Sequence, residues 1–342
     1  MAQPNDPVAQ ATPGLPIPEP AAQRSWLHRT FAGSYRIESV LGEGAMGQVL
    51  LANDIHLERA VAIKVLKADT AERIQNDQRF RREARVLSRL NHPNVVTLYA
   101  FGTLDDGTGY IVMERVDGVP LTAYCDADNL LSLEILSVVV EQICMALSAA
   151  HREGIVHRDI KPTNVLISAF EESAPSVKVL DFGLAKPLDT GADPSATLDL
   201  LATSEGAAIG TPAYMSPEQA CGDRIDGRAD IYGLACLATQ LLTGHLPFGG
   251  LKGTQMVMAH VREKPRLPSQ LRRGPVFLPG GALDRVMACA LSKKPEDRFS
   301  EPMEFAAAFA AALKGEHADG FDPLQTGPVT GAFQDTHSEA EF

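Results

Sequence analysis

The sequence predicts an α+β chain of two unequal lobes, a strand-rich one followed by a helix-rich one. Three observations predict it. Short β-branched and apolar runs recur at residues 35–41, 48–53, 61–66, 95–101 and 110–113, each of strand length. A single helical stretch, about 77–90, interrupts them. After Asp117 the apolar period lengthens to that of a helix, with Leu133, Leu136, Val140, Ile143, Leu147 and Ala150 on one stripe. A length of 342 residues is too great for one domain of ~150 and suits two lobes joined at residues 114–118.

The flanks read differently. Residues 1–34 hold six prolines before Ala21 and show no period, so a disordered arm is expected there. Residues 314–342 are polar and aperiodic with one lysine and six acids, which predicts a disordered acidic tail. The domain between them is expected over 35–313, with a small lobe to about 113, a hinge at 114–118 and a large lobe from 119. The net charge of −12 argues against general affinity for nucleic acid or an anionic membrane. Five scattered cysteines without a C-x-x-C pair read as buried reduced thiols, not as zinc ligands or a disulfide framework. No uninterrupted apolar run reaches the ~18 residues of a membrane span, and no basic-then-apolar leader opens the chain. The expected compartment is therefore the cytoplasm.

Chemistry concentrates at four places. Gly42, Gly44 and Gly47 lie between two strand runs, where missing side chains let backbone N–H groups approach a phosphate. A plain glycine-rich hairpin reads equally well from these residues alone. A dinucleotide fold drops out, because a strand and not a helix follows. Lys64 sits in the apolar run Val61-Ala-Ile-Lys-Val-Leu66 and needs an anion if it is buried, or an edge position from which to reach water. Glu83, three residues after Phe80 and four before Leu87, shares the inward face of the expected helix and is the candidate partner. The third place is the cluster His157-Arg-Asp-Ile-Lys-Pro-Thr-Asn164, and the fourth is Asp181-Phe-Gly183 after the run Val177-Lys-Val-Leu180. One carboxylate to take a hydroxyl proton, with another carboxylate and an amide oxygen for hard cations, is a set suited to metal-nucleotide chemistry.

In this order and spacing, the glycine loop, Val61-Ala-Ile-Lys64, Glu83, His157-Arg-Asp159, Asn164, Asp181-Phe-Gly183 and Ser216-Pro-Glu218 resemble the eukaryotic-type protein kinases across about residues 35–313. Lys161 and Thr211, with the phrases Tyr110-Ile-Val-Met-Glu114 and Ala213-Tyr-Met-Ser-Pro-Glu218, resemble the bacterial Ser/Thr branch. The resemblance implies a bilobal kinase fold and transfer of phosphate from ATP, with Mg²⁺ or Mn²⁺, to Ser/Thr hydroxyls of protein substrates in signalling. Asp159 would act as catalytic base, with Lys161, Lys64, Glu83 and Thr211 beside it. Leu41, Gly42, Gly44, Gly47, Val49, Ala62, Lys64, Met113, Glu114, Val116 and Leu166 would enclose ATP, and Asn164 and Asp181 would hold the metal. Glu218 would pair with Arg298, and Asp230 would brace the catalytic loop. Leu87, Leu98, His157 and Phe182 would stack in the active arrangement.

Ser216 stands where the family usually has alanine, a change expected to be harmless. No membrane span or sensor is seen, which implies a soluble kinase, and residues 168–176 read as a surface insertion. Arg158 beside Asp159 marks the kinases whose activation loop is ordered by a phosphate. Thr203 is the favoured autophosphorylation site, with Ser204 and Thr197 behind it. The resemblance also implies a homodimer through the small lobe, and Thr326, Thr330 and Thr336 could dock a phosphothreonine-binding module. A pseudokinase would lack Lys64, Asp159 or Asp181, and a small-molecule kinase would lack residues 210–218; all are present.

Overall fold

The computed structural model describes residues 30–44, 47–66, 87–88, 90–104, 107–168, 175–182 and 212–315. The small lobe is a six-stranded antiparallel sheet of β1 (Thr30–Phe31), β2 (Tyr35–Gly44), β3 (Gly47–Asp54), β4 (Arg59–Leu66), β5 (Leu98–Thr103) and β6 (Gly109–Glu114), in the order β1-β2-β3-β4-β6-β5. Strand alternation divides β4 between two apolar layers. Val61, Ile63 and Val65 pack with Phe31, Ile37, Leu50, Ala52 and Val112 on one face. Ala62 and Leu66 pack with Leu98, Ile111 and Met113 on the other, and Lys64 shares their side of the strand. Both faces are covered, so this run lacks the polar alternation of a half-exposed strand.

The arm expected over 1–34 is corrected at its end. Thr30 and Phe31 pair with Arg36 and Tyr35, and Phe31 is 1% exposed, edge-on to Tyr110 at 5.2 Å between ring centres. One aromatic in a proline-rich stretch shows no period, yet its burial draws that segment into the sheet. The helix expected at 77–90 lies almost wholly outside the described residues.

The large lobe contains a three-stranded sheet, β7 (Val119–Pro120), β8 (Val165–Ser168) and β9 (Ser176–Val179), and seven described helices. These are α1 (Leu133–Arg152), α2 (Pro217–Cys221), α3 (Arg228–Thr243), α4 (Gly253–Arg262), α5 (Pro268–Leu271), α6 (Ala282–Ala290) and α7 (Pro302–Leu313). By length and composition alone α1 could cross a membrane, a stretch that the sequence reading did not count. Its Leu136, Val140, Ile143 and Leu147 are buried in the lobe's core, where it packs on α7, α3 and β9, as a core helix does. Helix α3 buries 14 of its 16 residues. Its Thr239 and Thr243 hydroxyls return hydrogen bonds to the carbonyls of Ala235 and Thr239, so the buried polar groups are satisfied. All five cysteines are free thiols, and burial pushes those of Cys125 and Cys236 up to about 12, away from reactive thiolate.

Candidate active site

The site lies where the small lobe's inner face meets the loop between α1 and β8. That loop hangs from α3. Asp230, 1% exposed, accepts hydrogen bonds from the backbone N–H of Arg158 on Oδ1 (2.7 Å) and of His157 on Oδ2 (2.8 Å). His151, in the last turn of α1, reaches Oδ2 with Nε2 at 2.8 Å. Burial opposes charge on both groups, but their mutual hydrogen bond and attraction outweigh it. The His151 pKa is raised and the Asp230 pKa is lowered. The pair is a buried ion pair from which the loop 157–164 is suspended.

Beyond this anchor the loop folds on itself. Asp159 N–H donates to His157 Nδ1 at 3.2 Å, so His157 Nε2 carries the ring proton and donates it to Leu180 O at 2.8 Å. Burial lowers the pKa of this imidazole, in keeping with the neutral tautomer. Lys161 Nζ lies 2.8 Å from Asp159 Oδ2. Asn164 Nδ2 donates to Asp159 O at 2.9 Å and to Asp159 Oδ2 at 3.1 Å. Asn164 O accepts from Leu180 N at 2.8 Å, which sets Asp181 beside the loop. Lys64, with a side chain 11% exposed, meets Asp181 Oδ2 at 2.7 Å. Arg158 and Asp181 hold left-handed backbone, at φ 62° and 52°. Side chains with Cβ rarely take that conformation, and both positions are fixed by the bonds around them.

The remaining expected residues fall in two groups. Val49, Ala62 and Met113 share one apolar cluster, and Val116 and Leu166 are half-buried. Leu41 is 50% exposed at an irregularity between Val40 and Gly42. Gly44 pairs with Gly47 across the hairpin. A Cβ on Gly47, at φ 143°, would stand 1.8 Å from the Val65 carbonyl oxygen, so only glycine fits. Arg298 donates to both carboxylate oxygens of Glu218, at 2.7 and 2.8 Å, with the two side chains 0% and 5% exposed. His157 and Phe182 stack at 4.6 Å and Leu87 shares their side's core, while Leu98 belongs to the small-lobe cluster. Glu83, Gly183, Thr197, Thr203, Ser204 and Thr211 lie outside the described residues.

Three functional contacts escaped the sequence reading. Lys178 on β9 bonds Glu114 Oε2 at 2.8 Å, and the same oxygen accepts Thr97 N–H at 3.1 Å, which fixes the hinge. The lone lysine in an apolar run was the available signal. Asn94 and Gln142 join at 2.8 Å and together hold the C=O and the N–H of Val177. Ser216 is more than a harmless exchange for alanine. Its hydroxyl caps α2 in a reciprocal box with Gln219, whose Nε2 donates to Arg158 O at 2.8 Å.

The bilobal fold thus sets a lysine-carboxylate pair against an Asp-Lys-Asn loop. Comparison places the chain among known proteins: a model of the protein kinase domain matches residues 35–309, and the chain belongs to the protein kinase family. It is 40% identical over 285 residues to serine/threonine-protein kinase PknB of Mycobacterium leprae, covering 82% of this chain and 43% of that protein. It is 38% identical over 289 residues to serine/threonine-protein kinase pkn3 of Myxococcus xanthus, covering 84% and 52%. The chain thus spans about half the length of these relatives. The crystal structure of the Mycobacterium tuberculosis PknI kinase domain is similar at a TM-score of 0.64 and 30% identity, over 84% of this chain and 98% of that one.

Proposed function

We propose that this chain phosphorylates serine and threonine hydroxyls of proteins with ATP as donor, through a catalytic unit running from Thr30 to Leu313. The observation that carries this is the loop in which Asp159, Lys161 and Asn164 are mutually bonded and fixed to buried Asp230. Asp159 takes the proton of the attacking hydroxyl. Lys161 beside it offsets negative charge at the transferred phosphoryl group, and Lys64 does so at the phosphates nearer the nucleoside. Val49, Ala62, Met113 and Leu166 exclude water around the adenine, whose edge meets main-chain groups of Glu114 and Val116.

The donor set fits a hard divalent cation. Asn164 turns its amide nitrogen toward Asp159, its oxygen takes only a long bond of 3.5 Å from the Thr163 hydroxyl and keeps a lone pair for an ion, and Asp181 offers a second oxygen ligand. Among the described residues no three acidic, histidine or cysteine side chains form a self-sufficient metal site, which suits an ion completed by phosphates and water. Such an ion, Mg²⁺ or Mn²⁺, supplies charge neutralisation between the phosphates.

In the same reading Thr203, with Ser204 and Thr197 as lesser sites, is autophosphorylated and pairs with Arg158. The kinase works in the cytoplasm, pairs through its small lobe, and presents its tail threonines to a phosphothreonine-binding module. The test is incubation of the purified chain with labelled ATP, Mg²⁺ and a protein acceptor, beside Asp159→Asn. Label on Ser or Thr that vanishes in the variant is expected. Label that survives in Asp159→Asn, or none despite nucleotide binding, would overturn the assignment.

A further inference from the structure

In a chain of net charge −12, one stretch of the sequence has the opposite sign. From Ile231 to Leu283 the sequence holds a single carboxylate, Glu263. Within it lie six bases: Lys252, Arg262, Lys264, Arg266, Arg272 and Arg273. Two of these serve the fold. Arg272 donates to Leu242 O and covers the Phe277 ring, and Arg266 reaches the carbonyls of Leu246, Pro247 and Gly249. Lys252, Arg262, Lys264 and Arg273 are exposed, and none has a carboxylate within ion-pair distance among the described residues. They flank α4 and α5.

The complementary charge is in the same chain. After Gly315 the sequence runs 27 residues with six carboxylates, Glu316, Asp319, Asp322, Asp335, Glu339 and Glu341, and no lysine or arginine. It leaves the fold from α7, which packs on α6, and α6 in turn packs on α5. A chain of that length can span at most about 90 Å, against a radius of gyration of about 19 Å for a domain this size. Every point of the basic strip is within its reach. Covalent attachment gives an effective concentration on the order of millimolar, so several weak exposed pairs suffice where a free acidic peptide would dissociate.

We propose that the acidic segment 316–342 docks in cis on the basic strip formed by Lys252, Arg262, Lys264 and Arg273. The occupied surface adjoins the substrate side of the lobe, because Met256 and Ala259 of α4 pack against Ala213 and Tyr214 next to Thr211. A docked tail therefore covers ground that a protein substrate would approach. Phosphate on Thr326, Thr330 or Thr336 adds about −1.5 to −2 charge each and tightens the contact.

Zero-length carbodiimide coupling of the full chain, read by mass spectrometry, tests this by joining carboxylates to lysine amines. Tail peptides are expected on Lys252 and Lys264, within single chains when isotopically light and heavy protein are mixed. Arg262→Glu with Arg273→Glu leaves both lysines in place and should cut the yield about tenfold, as should about 1 M salt, where the Debye length is about 3 Å. Yields no higher at Lys252 and Lys264 than at Lys178 and Lys294 would overturn the proposal, and mixed-isotope products would overturn docking in cis. Hydrogen exchange gives a second readout. Replacing Asp319, Asp322, Asp335, Glu339 and Glu341 by their amides should speed exchange across residues 262–273, and unchanged exchange there would refute the contact.

Discussion

The ion pair behind the catalytic loop offers the sharpest perturbation, Asp230→Asn. Three donors converge on the two carboxylate oxygens: Arg158 N on Oδ1, and His157 N with His151 Nε2 on Oδ2. An asparagine has one acceptor oxygen. Turned to keep the two bonds on the Oδ2 side, it aims its NH₂ at the N–H of Arg158. One buried donor is then unsatisfied, at about 1–3 kcal/mol. Loss of the charge facing His151 brings the total to about 3–5 kcal/mol, the range for breaking a buried pair. The bond that fails is the one opposing left-handed strain at Arg158, φ 62°, which costs about 1–2 kcal/mol on its own. Relaxation there moves Asp159, the next residue, and a shift near 1 Å can cost about 10²-fold in rate. Steady-state assays should show kcat falling about that far, with KM for ATP much less affected. A kcat within twofold of the parent would refute the reasoning. Gly227→Ala supplies an independent route, since its Cβ would lie 2.6 Å from His151 Nδ1 and push the imidazole off Asp230. The pair also sets a pH window. The raised pKa of His151 stabilises the fold fully below about pH 6.5, and this is lost as pH rises through the folded value. The lowered pKa of Asp230 stabilises above about pH 3.9, and this is lost as pH falls through the folded value. Melting curves of Asp230→Asn should flatten both limbs.

Other predictions test separate parts of the frame. Glu218→Gln leaves the buried Arg298 charge without a counter-ion, facing one amide oxygen and the carbonyls of Ser292, Arg228 and Lys293, and should cost about 3–5 kcal/mol; at about 2–4 °C per kcal/mol, thermal melting would show it clearly. Gly47→Ala drives a Cβ into the Val65 carbonyl, so β3 and β4 must part, and KM for ATP should rise well before the large lobe loses stability. Phe31→Ala empties a fully buried aromatic site and should cost about 3–5 kcal/mol in denaturant unfolding. An effect under 1 kcal/mol, the scale of a surface change, would mean that β1 is not integral to the sheet.

Much of the fold was legible because its signals are local. Strand runs 48–53, 61–66 and 110–113 fall within β3, β4 and β6, and the helical stripe from Leu133 to Ala150 became α1. Phe31 was missed because one buried aromatic carries no period. Its place depends on Tyr110, which is distant in sequence. The site was legible where its chemistry is contiguous, as in residues 157–164, and where a charge in an apolar run asked for a partner. Partner identity was harder to read. Lys64 meets Asp181, a contact its apolar run did not name, while its expected partner Glu83 lies outside the described residues. Lys178, equally isolated in its run, went without a partner until the fold brought Glu114 to it.

The same asymmetry explains why the loop can be precise. The loop's polar side chains are neighbours in sequence and bond one another, but the groups that anchor the loop to the lobe come from far away: Asp230 from α3, His151 from α1, Gln219 from α2 and Leu180 from the strand end. Helix α3 is the least exposed element of the large lobe, so its Asp230 moves only if the core moves. A strained backbone at Arg158 is tolerable under that condition alone. The loop's geometry is therefore a property of the lobe's packing, and substitutions in α3 that loosen its core should lower kcat before they unfold the protein.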